Sequence, residues 1–258
     1  MFFSQDNPWF VHQKTNKTNT NTKLILFCFH HAGGTASFFR EWGQILPPAV
    51  ELIAVQLPGR EANSKPYITD VNIVAKQIAD NFHKYQTIPT VFFGHSLGSL
   101  IAFEVAHELR RRYLKSPKYL IVSGRNAPQT QSKEEVLHHL PDELLIKGLI
   151  KYQGMPNEIL QNKELLEVLL PRLRADFALS ETYQYKKRPP LECPILALGG
   201  DNDSTVNYDG LAAWEIQTIK KYSVNLFSGG HFFLNTSKKE VWDIISLTIK
   251  NTLEDCAN

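Results

Sequence analysis

Thr90-Val91-Phe92-Phe93-Gly94-His95-Ser96-Leu97-Gly98 is the stretch on which the reading of this chain turns. It begins as a short apolar run of β-formers and ends in Gly-x-Ser-x-Gly. From Ser99 to Arg112 there follow no Gly and no Pro, and apolar Leu100, Ile101, Val105 and Leu109 mark a helical face. A strand, a tight glycine turn and a helix present the central serine at the carboxyl edge of a sheet, an arrangement called a nucleophile elbow. The middle residue of such a turn is held in a strained backbone conformation, and small neighbours let the chain pass closely on both sides. A glycine-rich turn around an ordinary serine is the alternative, and the flanking elements weigh against it.

Working outward, apolar runs at Leu24–Phe29, Leu52–Val55, Val91–Phe93, Tyr119–Val122, Ile195–Leu198 and Val224–Phe227 read as short buried strands. Helical patterns alternate with them. Asp70 is placed to cap a segment carrying Val71, Val74, Ile78, Phe82 and Tyr85 on one stripe. Ser237-Lys238-Lys239-Glu240 reads as a capping box that opens a helix with Val241, Ile244, Ile245 and Ile249 on one face. This alternation predicts an α/β class with a mostly parallel central sheet flanked by helices. Together with the elbow it predicts the α/β-hydrolase fold.

One interval is too long for a simple crossover. About 70 residues separate Arg125 from Cys193, where a βαβ connection needs about a dozen. The excess is itself helical. Pro141-Asp142-Glu143-Leu144-Leu145-Ile146 starts one helix, and Leu165 to Leu170 forms another. Pro171 restarts it at a first-turn position, and Arg172 to Tyr185 completes the set before Pro189-Pro190. We read it as a helical lid insertion, about residues 126–190, within one domain spanning 24–258. A second small domain or an interaction surface is the alternative. Residues 1–23, rich in Asn, Thr and Lys from position 11, read as a flexible N-terminal leader.

Composition narrows the classes further. With 258 residues, 43% hydrophobic and 21% charged, the chain is long enough for one substantial core. A formal net charge of +2 argues against a nucleic-acid partner. No apolar run approaches the roughly 20 residues that span a bilayer, and the first 22 residues carry no secretory apolar stretch. Cys28, Cys193 and Cys256 lack metal-ligand spacing, and the first two sit in apolar runs as buried free thiols do. A cytoplasmic monomer without disulfides, membrane contact or bound metal is the expectation.

A serine hydroxyl is a weak nucleophile near neutral pH and needs a base within hydrogen-bond reach. Of nine histidines, His231 stands out, because Gly229-Gly230-His231 follows a strand-like run ending at Phe227. His95 adjoins the serine, with its side chain expected to point away. The base in turn needs an acid, in the chain order Ser, acid, His. Asp201 and Asp203 both lie in the loop after Ile195–Leu198. Asp203, further past the strand end, is better placed to turn towards the histidine, while Asp201 suits a turn cap. Oxyanion donors are expected from the backbone N–H of Leu97 and from Ala32, in Phe29-His30-His31-Ala32-Gly33-Gly34.

At this point the chain resembles a known family: the type II thioesterases that accompany nonribosomal peptide and polyketide synthetases, and the related medium-chain thioesterases of fatty-acid synthesis. The likeness runs from about residue 24 to 250. It is carried by Cys28-Phe29-His30-His31-Ala32-Gly33-Gly34, Gln56-Leu57-Pro58-Gly59-Arg60-Glu61 and Gly94-His95-Ser96-Leu97-Gly98. It continues in Leu173-Arg174-Ala175-Asp176-Phe177, Glu181-Thr182-Tyr183 and Gly229-Gly230-His231-Phe232-Phe233. The Pro-Gly-Arg-Glu and Arg-Ala-Asp-Phe segments are the most specific. The chain departs from the family at His30, where proline is usual.

The resemblance implies a catalytic triad of Ser96, Asp203 and His231. It also implies hydrolysis of acyl or aminoacyl thioesters from the phosphopantetheine arms of acyl or peptidyl carrier protein domains, for editing or release. No cofactor of the enzyme's own is implied. A general carboxylesterase or acyltransferase using the same triad is the alternative. Within the lid, Met155, Leu169, Leu170, Leu173 and Phe177 read either as an acyl pocket or as plain lid packing. Arg172, Arg174 and Lys186-Lys187-Arg188 read either as a solvated basic face or as a contact for an acidic carrier protein. Arg60 and Glu61 read as a structural ion pair.

Overall fold

The computed structural model describes residues 7–13, 21–61, 63–130, 135–150, 152 and 157–256. Among them run strands β1 (Phe10–His12), β2 (Leu24–Phe29), β3 (Val50–Val55), β4 (Thr90–His95), β5 (Tyr119–Ser123), β6 (Ile195–Gly200) and β7 (Tyr222–Phe227). The helices are α1 (Trp42–Ile45), α2 (Val71–Asp80), α3 (Leu97–Arg111), α4 (Asp142–Ile150), α5 (Asn157–Leu160), α6 (Lys163–Glu181), α7 (Tyr208–Ala212), α8 (Phe233–Thr236) and α9 (Lys238–Asp255). The seven strands form one sheet in the order β1-β3-β2-β4-β5-β6-β7. Every neighbouring pair is parallel except β1 and β3.

A parallel sheet covered on both faces calls for strands that are apolar throughout. β2 meets this condition, with every residue of Leu24–Phe29 at most 1% exposed. Its side chains alternate between two cores. Ile25, Phe27 and Phe29 pack with residues of α2 and α3, while Leu24, Leu26 and Cys28 pack with residues of α1 and α9. Cys28 and Cys193 are buried and free, as their apolar settings predicted. The parallel ladder brings the carboxyl ends of β4, β5, β6 and β7 to one edge, where the loops that follow them meet.

The structure corrects the sequence reading at several places. The helix capped by Asp70 ends at Asp80, so Phe82 and Tyr85 lie past it rather than on its stripe. Residues 7–13 are not part of a flexible leader, because Trp9 and Phe10 are buried and Phe10 pairs with Val55. The Phe10 ring packs edge-on against Phe27 and Tyr85, and aromatic burial of this kind offsets the entropy of ordering a short strand. Residues 14–20 lie outside the described residues. Pro171 does not restart a helix, since α6 begins at Lys163, where Asn162 accepts the Leu165 N–H, and continues through the proline. The missing proline N–H costs one helical hydrogen bond, and Leu166, Leu170, Leu173 and Phe177 hold the helix by their shared apolar packing. That helix ends at Glu181, short of the expected Tyr185. Ser237 makes no capping bond, because its hydroxyl donates to the Ser228 carbonyl and ties the start of α9 to the loop after β7.

Candidate active site

β4 ends at His95 and α3 begins at Leu97, so the whole turn is Ser96. Its backbone sits at φ 55° and ψ −117°, a conformation that costs a non-glycine residue about 1–3 kcal/mol. The flanking glycines are required by close approach. A Cβ on Gly94 would lie 2.3 Å from the Gly98 carbonyl oxygen, and one on Gly98 would lie 2.0 Å from that of Phe29. The elbow is thereby pressed against the end of β2, where the loop carrying Ala32 begins. Ser99 staples it from below, with its Oγ 2.8 Å from the Gly94 carbonyl oxygen and 2.9 Å from that of Ser123.

The loops after β6 and β7 complete the constellation. A Cβ on Gly200 would meet the carbonyl oxygens of Gly229 and Gly230 at 2.4 Å, so the acid loop and the histidine loop touch through bare backbone. His231 Nε2 lies 2.9 Å from Ser96 Oγ, and Nδ1 lies 2.7 Å from Asp203 Oδ2. Asp203 Oδ1 accepts from both the N–H and the hydroxyl of Thr205. Burial pushes the Asp203 carboxyl up, but the His231 hydrogen bond and charge and the two Thr205 bonds outweigh it, leaving it below its ordinary value. Asp201 lies apart, accepting from the Gly229 N–H and the Asn202 side chain. His95 turns to the Ser123 hydroxyl at 2.9 Å rather than towards the serine, and its ring lies 5.3 Å from that of His231.

Leu97 is the first residue of α3, where a helical N–H has no acceptor within the helix. Ser96, Leu97 and Ala32 line the same cavity. Beside Ala32, the His31 Nδ1–H donates to the Ala32 carbonyl at 2.9 Å, and the His30 Nδ1–H donates to the His31 carbonyl at 2.8 Å. His30 therefore braces with a hydrogen bond the loop that a proline would stiffen covalently. Burial holds the His31 imidazole down at about 4, and those of His30 and His95 are lowered by the same cause, so all three rings are neutral around the site at neutral pH.

The lid is fastened to this loop. Asp176 on α6 accepts the Gly33 N–H at 2.7 Å and pairs with Arg60 through both carboxylate oxygens, at 2.7 and 2.8 Å. Arg60 also donates to the Gly34 and Pro58 carbonyls. The expected Arg60–Glu61 pair does not form, because the buried guanidinium fork is filled by Asp176 and Glu61 is exposed. The two segments that looked most distinctive in the sequence thus meet each other. Glu181 anchors the lid's other end, accepting from the N–H groups of Leu137 and His138.

A cavity of about 930 Å³ opens over Ser96 and His231. Leu149, Tyr152, Leu173 and Phe177 line its lid side, with Arg125, Asn126 and Thr205 on the sheet side. Leu173 and Phe177 both line the cavity and pack in the lid's apolar cluster, so they answer to the acyl-pocket and the lid-packing readings alike. Leu169 and Leu170 pack in the lid's own apolar cluster, and Met155 lies outside the described residues. Of the basic residues, Arg174 is bound to Asp142 and the His138 carbonyl, and Arg188 to Glu104, while Arg172 is half-buried and Lys186 and Lys187 are exposed. Sequence reasoning missed Tyr152, Thr205 and Arg125. For Arg125 a signal was present, since it stands two residues past a strand end on the catalytic edge.

Comparison with known proteins accords with this geometry. The thioesterase domain family matches residues 24–249. Gramicidin S biosynthesis protein GrsT of Aneurinibacillus migulanus is 42% identical over 253 residues, covering 98% of each chain. The type II thioesterase BorB from the borrelidin biosynthetic cluster superposes with a TM-score of 0.82 at 30% identity, covering 97% of this chain and 98% of that one. ClbQ from the colibactin NRPS/PKS pathway gives 0.84 at 30% identity, covering 90% and 98%. With the match running from β2 almost to the end of α9, the chain belongs to the thioesterase domain family.

Proposed function

We propose that this enzyme hydrolyses acyl or aminoacyl thioesters carried on the phosphopantetheine arms of carrier protein domains, acting as a type II thioesterase beside a nonribosomal peptide or polyketide synthetase. The observation that carries the reaction is the hydrogen-bonded chain Ser96–His231–Asp203 beneath the cavity. The likeness to GrsT, BorB and ClbQ carries the substrate class. No helix among the described residues is long and apolar enough to cross a membrane.

In the proposed mechanism His231 Nε2 takes the Ser96 proton as Oγ attacks the thioester carbonyl. Asp203 fixes the tautomer through Nδ1 and stabilises the imidazolium. The N–H groups of Leu97 and Ala32 receive the oxyanion, and each such donor is worth about 10²–10³ in rate. Collapse expels the pantetheine thiol, which takes the proton from His231. Water, deprotonated by His231, then hydrolyses the acyl-serine. These are proton and acyl transfers among the named groups, and they call for no further cofactor. The cavity's apolar lid side, with Leu173 and Phe177, suits the acyl chain.

The test is release of acetyl, longer acyl and aminoacyl groups from a loaded carrier protein, wild type beside Ser96→Ala. Rapid release by the wild type alone is expected. Turnover of simple oxygen esters without carrier release would move the assignment to a general esterase.

A further inference from the structure

Arg125 stands out once the triad is accounted for. It follows β5 directly after Gly124, whose φ of +61° turns the chain at the catalytic edge. A Cβ on Gly124 would lie 2.7 Å from the His95 ring, so the turn is packed against the histidine beside the nucleophile. The indole N–H of Trp214 donates to the Arg125 carbonyl at 2.9 Å and fixes the backbone. The side chain lines the cavity over Ser96.

Its guanidinium keeps spare donors. Of five N–H donors, one bonds the Ser180 hydroxyl at 2.9 Å. Among the described residues no carboxylate forms an ion pair with it, whereas Arg60, Arg174 and Arg188 each have one. Tyr152 and Tyr183 neighbour it, and burial holds the group down at about 10; the cavity it lines also carries Glu135, Glu181, Asp203 and Asp209. Arg125 is partly exposed in the cavity that it lines, and an arginine fork is shaped for a planar pair of acceptor oxygens.

We propose that Arg125 is a substrate-binding residue that receives a carbonyl or carboxylate oxygen of the bound thioester. Two parts of an acyl-pantetheine present such oxygens: the amides of the arm, and an oxo or acid group within the acyl chain. The inference rests on the thioesterase reading and extends it to a polar subsite where the loop after β5 meets the lid helix at Ser180.

The experiment compares kcat/KM for three thioesters by release of free thiol. They are S-butyryl pantetheine, the ethanethiol thioester of butyrate, and the ethanethiol thioester of succinate through one carboxyl. The middle compound has neither the arm amides nor a second acid. Wild type is measured beside Arg125→Gln and Arg125→Lys. Ratios between substrates are independent of the folded fraction, so a partly misfolded variant remains informative.

If the arm is the source, the wild-type preference for pantetheine over ethanethiol shrinks about 10- to 100-fold in Arg125→Gln, as expected for a lost hydrogen bond to a charged group. If the acyl group is the source, the preference for succinyl over butyryl shrinks instead. Either result supports the assignment, with Arg125→Lys intermediate. Equal change on all three substrates would make Arg125 a structural residue and overturn it. Failure of the wild type on all three would remove the thioesterase reading, and the assignment with it.

Discussion

Arg60 and Asp176, 116 positions apart, form a two-bond ion pair with side chains 1% and 0% exposed, and the same carboxylate holds the Gly33 N–H. One residue on the lid helix therefore fixes the loop that presents Ala32. Removing the carboxylate strands a buried guanidinium, so Asp176→Ala is expected to lose about 3–5 kcal/mol in denaturant titration. Arg60→Met with Asp176→Leu should regain much of that stability, because an apolar pair can replace a buried ion pair. It should not regain turnover, since Gly33 N–H still lacks its acceptor. A deficit of about 10²-fold, the scale of a lost oxyanion donor, is expected. Recovery of both together would reduce the pair to a fold-holding role.

The two aspartates of the loop after β6 separate cleanly. Asp203→Asn should lower kcat by about 10⁴, because the amide no longer enforces the histidine tautomer. Asp201→Asn keeps an Oδ1 that can accept from Gly229 and Asn202, loses only the charge, and should stay within about tenfold of wild type. Steady-state kinetics on one thioester settles the order, and a larger loss at Asp201 would reverse the assignment.

Gly98 is predicted to be irreplaceable even by alanine. The added methyl would need the Phe29 carbonyl, 2.0 Å away, to retreat, and that carbonyl belongs to a fully buried central strand. Overpacking of about 1–3 kcal/mol is the minimum, with turnover falling as the elbow shifts from the Ala32 loop. A Gly98→Ala protein as stable and active as wild type would contradict the close approach.

Stability should fall in acid. His31 is neutral in the fold down to about 4, against an ordinary 6.5, so between those values the unfolded chain binds a proton that the folded chain refuses. The neutral ring's contribution is complete above 6.5 and is lost as the pH falls towards 4, at about 1.4 kcal/mol per pH unit. His30 and His95 are lowered in the same sense and add to the slope. Asp203 acts only further down, below its ordinary 3.8. Denaturant midpoints at pH 7 and pH 5 check this, and equal midpoints would show that the three rings are solvated.

Much of the site could be read from the chain because it is built from local signals. Gly94, Ser96 and Gly98 are contiguous, and His231 and Asp203 each stand just past an apolar strand, so chain order nearly dictates their meeting. The central strands were legible because burial on both faces leaves apolar runs, whereas Val224–Phe227, read as buried, belongs to the edge strand β7, where Leu226 is 45% exposed. What escaped depends on contacts between distant segments. Nothing near Arg60 says that its partner is Asp176 rather than Glu61, and only the docked lid decides it. Pro171 misled because the apolar packing of α6 overrides the local preference of proline for a first turn. Phe10–His12 was hidden because three residues carry no periodicity, and only Phe27 and Tyr85 make the strand worth forming.

The most direct test is to trap the covalent intermediate. Wild-type enzyme mixed with acyl-loaded carrier protein, quenched in acid within the first turnover and digested, should carry the acyl mass on the peptide containing Ser96, and Ser96→Ala should carry none and release no acid above background. Acyl mass on another residue, or acid release by Ser96→Ala at a rate near wild type, would contradict the account.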